Sequence, residues 1–113
     1  PILLFLPENE WHELGLLFYN YALRFENKRT IYLGQSMPYD ALIVCVNDLK
    51  PRAIVTSCLS IADKNYLIKY FSNLKKDVGN IPIHAGGSQI TNHIKDLSPL
   101  ITEIKEMSDI NHI

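Results

Sequence analysis

Basic residues never accumulate in this chain of 113 residues: 11 Lys and Arg face 12 Asp and Glu for a formal net charge of −1, and Lys28-Arg29 and Lys75-Lys76 come together only as pairs. That excludes the basic face with which a domain holds nucleic acid through its phosphates. Cysteine is scarce as well. Cys45 and Cys58 sit inside apolar segments without CxxC spacing, which excludes a disulfide frame and reads as reduced thiols in a cytoplasmic protein. No apolar run reaches membrane-spanning length, and no signal-peptide pattern is present. Repeats, low-complexity tracts and internal linkers are absent too. The chain lacks an initiator Met and opens almost inside a strand, so we expect one domain over 1–113, cut from a longer protein with partner domains upstream of Pro1.

What is present is apolar and ordered. At 47% hydrophobic and 20% charged, the composition suits one domain with a single core. Short β-branched runs recur at ILLFL (2–6), TIYLG (30–34), AIVTS (53–57) and IPIHA (81–85). None alternates strictly, as expected of parallel strands covered on both faces. Between them the period becomes helical. Leu14, Leu17, Phe18, Tyr21, Ala22 and Phe25 form one stripe, Leu42, Cys45, Val46 and Leu49 a second, Leu67, Tyr70, Phe71 and Leu74 a third, each predicting an amphipathic helix. Pro38 with Asp40 starts the second helix, Asp63 caps the third, and Pro51 and Gly79-Asn80 are the stops. Beyond Gly86-Gly87, SQITNHIKDL reads as a short helix or loop, ITEI (101–104) as a fifth strand and Ser108 as the cap of a last helix.

The βαβα order predicts an α/β fold: a doubly wound parallel five-stranded sheet in the flavodoxin-like order 2-1-3-4-5, within a Rossmann-like three-layer αβα domain. In such sheets ligands sit at the carboxyl ends of the strands beside the topological switch point. Those loops read PENEWHELG, SCLS and HAGGSQ. The first has no Gly-rich or Ser/Thr-rich nest for a flavin or dinucleotide phosphate. A receiver domain is excluded in turn, because the third strand ends in Ser57 where a phosphorylatable aspartate would be required.

What the first loop does hold is Glu10, His12 and Gly15 in the pattern E-x-H-x-x-G. A neutral imidazole ligates transition metals, and a carboxylate on its second nitrogen fixes the tautomer and strengthens donation. One histidine is not a metal cage, so the metal would arrive already held by a macrocycle such as a corrin or porphyrin.

The order of motifs resembles the cobalamin-binding domains, whose signature is D-x-H-x-x-G, then S-x-L, then GG. This chain has Glu10-Trp11-His12-Glu13-Leu14-Gly15, then Ser57-Cys58-Leu59, then Gly86-Gly87, with gaps of 41 residues (16–56) and 26 residues (60–85). Both gaps are close to the family's spacing, and the resemblance covers nearly the whole chain. It implies that His12 replaces the cofactor's dimethylbenzimidazole as lower axial ligand of cobalt, while the displaced nucleotide tail enters a groove at the sheet. Gly15 would let the first helix start close to the corrin. Ser57 would hydrogen-bond the benzimidazole, Leu59 would line its slot, and Gly86 and Gly87 would leave it room. Trp11, beside His12, is placed with these cofactor-binding residues, where it can touch the corrin or a neighbouring domain. The departure is Glu10, where the family most often has aspartate.

Within the family, PENExHELGL followed by IYLGQSMPYDAL resembles the sensor domains of MerR-type transcriptional regulators, including light-responsive cobalamin-dependent repressors. The mutase pattern DGHDRG and the methyltransferase pattern GDxHDIGK are not there. The resemblance implies a sensor rather than an enzyme, binding adenosylcobalamin or methylcobalamin. DNA would be contacted only through an upstream helix-turn-helix, a helical bundle would cap the corrin, and the oligomeric state would control operator affinity. The alternative is the corrinoid module of a methyltransferase or mutase. Of the remaining candidates, His84 is expected to pack locally, His93 and His112 to be solvated, and Cys58 to be a reduced core thiol.

Overall fold

The structure is a computed structural model that describes residues 1–113. The elements follow in the order β1 (Ile2–Pro7), α1 (Leu14–Phe25), β2 (Thr30–Met37), α2 (Tyr39–Leu49), β3 (Ala53–Ser57), α3 (Lys64–Val78), β4 (Ile83–Gly86), α4 (Ser88–Asn92), α5 (Ile94–Leu97), β5 (Thr102–Ile104) and α6 (Met107–Asn111). The strands form one parallel sheet in the order β2-β1-β3-β4-β5. The expected α/β architecture, with its flavodoxin-like strand order, is therefore the observed one.

β1 lies inside the sheet between β2 and β3, and all six of its residues are buried. Ile2, Leu4 and Leu6 point into a core with Leu16, Ala22 and Leu23 of α1 and Ile110 near the carboxyl terminus; Leu3 and Phe5 point into the opposite core with Leu42, Leu67 and Phe71. Each fully buried Leu, Ile or Phe is worth about 1.5–3 kcal/mol. A strand hydrophobic on both faces is thus held in the middle of three layers, which is why ILLFL does not alternate.

Local signals act as their chemistry requires. Asp63 accepts hydrogen bonds from the N–H groups of Asn65 and Tyr66 at 2.9 and 3.2 Å. Gly79 ends α3 at φ 68°, and Lys50 ends α2 in the left-handed region. SQITNHIKDL becomes the two short helices α4 and α5. The last helix starts differently from the sequence expectation: Ser108 lies inside α6, and the cap is Glu106, in a reciprocal capping box with Asp109.

The larger difference is on α1. Of the proposed stripe only Ala22 is buried; Leu14, Leu17, Phe18, Tyr21 and Phe25 face outward, with Leu14 82% and Phe25 74% exposed. The sheet covers the alternative row Leu16, Ala22 and Leu23, with Tyr19 packed against it. α1 carries apolar residues around most of its circumference, so periodicity alone did not decide which row turns inward.

Candidate functional site

The carboxyl ends of β1, β3 and β4 meet at one corner of the sheet, and Ser57 is the register partner of Gly86. The loop from Glu8 to Glu13 that leaves β1 is braced from both sides. On the β2 side, Asn9 N–H donates to Ser36 Oγ at 3.0 Å, Ser36 N–H donates to the Glu10 carbonyl at 3.1 Å, and Tyr32 donates its phenol proton to Glu13 Oε1 at 2.7 Å. The register of β2 against β1 shifts twice on the way to this loop, at Leu4/Phe5 and Phe5/Pro7.

On the other side stands Glu10, a carboxylate with 0% exposure. Its Oε1 accepts from the N–H groups of Leu59 and Ser60 at 2.8 and 2.9 Å; its Oε2 accepts from Ser60 Oγ at 2.8 Å and bonds His12 Nδ1 at 3.1 Å. Burial alone pushes the carboxyl pKa up, but the bonds from Ser60, Leu59 and His12 outweigh it, and the net is a value below the ordinary 4.5. Glu10 is therefore a buried, ionised clamp between the first loop and the S-x-L loop. Its extra methylene has a use, because one side chain spans from the His12 ring to residues 59 and 60.

His12 is the exposed end of this clamp, with its side chain 61% accessible. A carboxylate can only accept, so Nδ1 carries a proton, and in the neutral ring the lone pair is on Nε2. No group of three or more His, Cys, Asp or Glu side chains in the chain could enclose a metal ion, so a metal on His12 must bring its other ligands with it.

The remaining proposed site residues surround this corner. A Cβ on Gly15 would lie 3.8 Å from Ser57 Oγ, an ordinary contact, so the fold itself does not demand glycine there; the missing side chain leaves clearance between α1 and the end of β3. Ser57 is buried. Leu59 is 37% exposed and Trp11 58% exposed, with Trp11 adjacent to His12 in the chain. Gly87 has a structural reason of its own: φ is 99°, and a Cβ would meet the Cys58 carbonyl oxygen at 2.5 Å. Gly87→Ala is accordingly expected to cost about 2–4 kcal/mol through backbone strain and this clash, measurable as a lowered denaturant midpoint. A loss below about 1 kcal/mol would show that the β4–α4 turn relaxes freely.

Gly86 was expected to leave open room, yet the Tyr19 phenol, from α1, fills the space above it; a Cβ there would strike the hydroxyl and lie 3.0 Å from Cζ. Sequence reasoning missed Tyr19. The available signal was its spacing of four residues from Gly15, which puts both on one helix face.

The other candidates are accounted for locally. Cys58 is fully buried, and burial, reinforced by the Glu10 charge, pushes its thiol well above the ordinary range; it is a neutral core thiol. His84 is half-buried, and burial lowers its pKa. His93 differs from the solvated expectation: its Nε2 lies 3.1 Å from the Ala62 carbonyl oxygen, tying α5 to the α3 approach. His112 is exposed.

The geometry defines a class: a Rossmann-like α/β domain that presents, at its switch point, one exposed histidine held by a buried carboxylate. No family model and no curated protein matches the sequence. Solved structures do match the fold. A cobalamin-binding protein from Desulfitobacterium hafniense superposes with a TM-score of 0.82 at 14% identity, over 98% of this chain and 55% of that one. The methanol:cobalamin methyltransferase complex of Methanosarcina barkeri gives 0.82 at 20% identity, over 98% and 43%. The monomethylamine corrinoid protein of the same organism gives 0.78 at 13% identity, over 98% and 54%. The chain thus spans about half the length of these structures. No helix is long and apolar enough to cross a membrane.

Proposed function

We propose that this domain binds cobalamin with the cofactor's own base displaced, His12 being the lower axial ligand of cobalt. The observation that carries the reading is the His12–Glu10 pair at the switch point: an exposed imidazole whose Nδ1 is committed to a buried carboxylate and whose Nε2 is free to donate. The fold shared with cobalamin-binding and corrinoid proteins supports it. So does the absence of any residue set able to hold a bare ion. The residues would hold the lower face of a corrin through His12, with Gly15 and Ser57 at the same corner of the sheet; the bound cofactor would supply a cobalt centre with an exchangeable upper ligand.

Within this reading we favour a sensor module of a MerR-type transcriptional regulator that does no chemistry on a substrate. Support comes from PENExHELGL and IYLGQSMPYDAL, and from the missing mutase and methyltransferase patterns. The proposed cofactor is adenosylcobalamin or methylcobalamin, and the proposed compartment is the cytoplasm. DNA contact would run through a further domain, with corrinoid binding shifting the population of two assemblies. The second reading is an enzyme's corrinoid module; the fold shared with the methanol:cobalamin methyltransferase complex and the monomethylamine corrinoid protein is common to both readings. Operator binding by the full-length protein that changes with adenosylcobalamin supports the sensor; methyl transfer to a partner enzyme without DNA binding supports the module.

Ligation itself is tested by pH. Only neutral imidazole binds cobalt, so hydroxocobalamin affinity, read from the visible spectrum, is expected to weaken as the pH is lowered from 8 to 5. Glu10 stays ionised between pH 8 and 5, because its carboxyl titrates below 4.5, so a change in this window does not come from Glu10. A flat affinity over it would contradict ligation.

A further inference from the structure

We propose that Tyr19 sets which corrinoids the site accepts: its phenol fills the groove beside Ser57 and Gly86, so a corrinoid with a full nucleotide tail binds only after this side chain swings out, whereas one without a tail does not need the move. The inference rests on the corrinoid reading above and deepens it. Three observations carry it. Tyr19 lies one helical turn after Gly15, on the helix face that looks at the end of β3, and its ring covers Gly86, the register partner of Ser57. The groove those residues would form is therefore closed, and none of the pockets on the surface is lined by Gly15, Ser57 or Gly86.

The phenol makes no side-chain hydrogen bond, and packing alone holds it. It packs at the margin of the α1-side core and is only partly buried. Burial is the one influence that raises its pKa, with no hydrogen-bonding or charged partner contributing. Leaving the groove therefore breaks packing but no polar bond. A rotation of this kind is a conformational cost that subtracts from the affinity of any ligand needing the space and leaves other ligands unaffected.

The test titrates the chain with hydroxocobalamin and with aquocobinamide, which carries the same corrin and cobalt but no nucleotide tail, and reads dissociation constants from the visible spectrum. Tyr19→Leu shortens the side chain and is expected to tighten hydroxocobalamin binding about tenfold while changing cobinamide binding less than about twofold. Tyr19→Trp enlarges it and is expected to weaken hydroxocobalamin binding by about tenfold, again with cobinamide nearly unchanged. Retained cobinamide binding shows that each variant is folded. A cobalamin-to-cobinamide ratio that is the same in the wild type and both variants would overturn the role of Tyr19 while leaving His12 ligation standing. Failure of the wild type to bind either corrinoid would overturn the corrinoid reading itself and this inference with it.

Discussion

Glu10→Ala is expected to lower the unfolding free energy by about 3–4 kcal/mol, since each buried or half-buried donor stripped of its acceptor costs roughly 1–3 kcal/mol and water reaches some of them. The donors are the N–H groups of Leu59 and Ser60, the Ser60 hydroxyl and the His12 ring. Leu59 and Ser60 are exposed at their side chains, which is why the loss stays below the sum of the separate bonds. For a domain of this size the melting temperature should fall by roughly 10–20 °C. Glu10→Gln keeps an acceptor for the two backbone groups and should cost about half as much. The pH dependence gives a second handle. Because the folded carboxyl sits below its ordinary 4.5, its stabilisation is complete above that value and is lost as the pH falls through the folded pKa. The gap between wild type and Glu10→Gln should therefore narrow in acid below 4.5. A Glu10→Ala loss under about 1 kcal/mol would show that the two loops hold their positions without the clamp.

His12→Ala should do the opposite. The ring is 61% exposed and makes one side-chain bond, so stability should stay within about 0.5–1 kcal/mol of wild type. Corrinoid affinity, by contrast, should drop by about 100-fold or more, because a coordinate bond disappears with no substitute nearby. Glu10→Ala should weaken binding by about 10–100-fold through loss of the ring's orientation, on top of its stability cost. The pair of variants thus separates the ligand from its holder: one is lost in binding alone, the other in binding and stability together. Unchanged corrinoid binding in His12→Ala would remove the histidine from the site.

These effects follow from a sequence that displayed its architecture openly and its site only in part. ILLFL, TIYLG and AIVTS became parallel strands with apolar residues on both sides, IPIHA supplied β4 from Ile83 onward with its apolar residues on one side, and the helices between them left one winding to consider. α1 was legible as a helix but not in its facing: Leu14, Leu17, Phe18, Tyr21 and Phe25 satisfy the helical period as well as the row that the sheet actually covers. Glu10 stood out in sequence as a candidate partner of His12, but its extra methylene left the bond open until the structure placed Oε2 3.1 Å from Nδ1. The second anchor of Glu10 could not be read in this way, since Leu59 and Ser60 lie 49 and 50 residues away and contribute mainly backbone N–H groups, which any residue type carries. Gly86 and Gly87 looked alike in sequence and differ in space: Gly87 is required by its own turn, while the space at Gly86 is taken by Tyr19.

The central claim, that a protein imidazole holds the cobalt, is most directly tested by electron paramagnetic resonance of the cob(II)alamin-loaded protein, prepared with nitrogen-15 histidine and unlabelled cofactor. The unpaired electron of low-spin Co(II) points along the axial direction and is split by the nucleus of the axial nitrogen. Ligation by His12 predicts doublet splitting in the labelled protein and triplet splitting in the unlabelled one. A triplet that persists after labelling would mean that the cofactor's own benzimidazole is still on the metal, and would contradict the account.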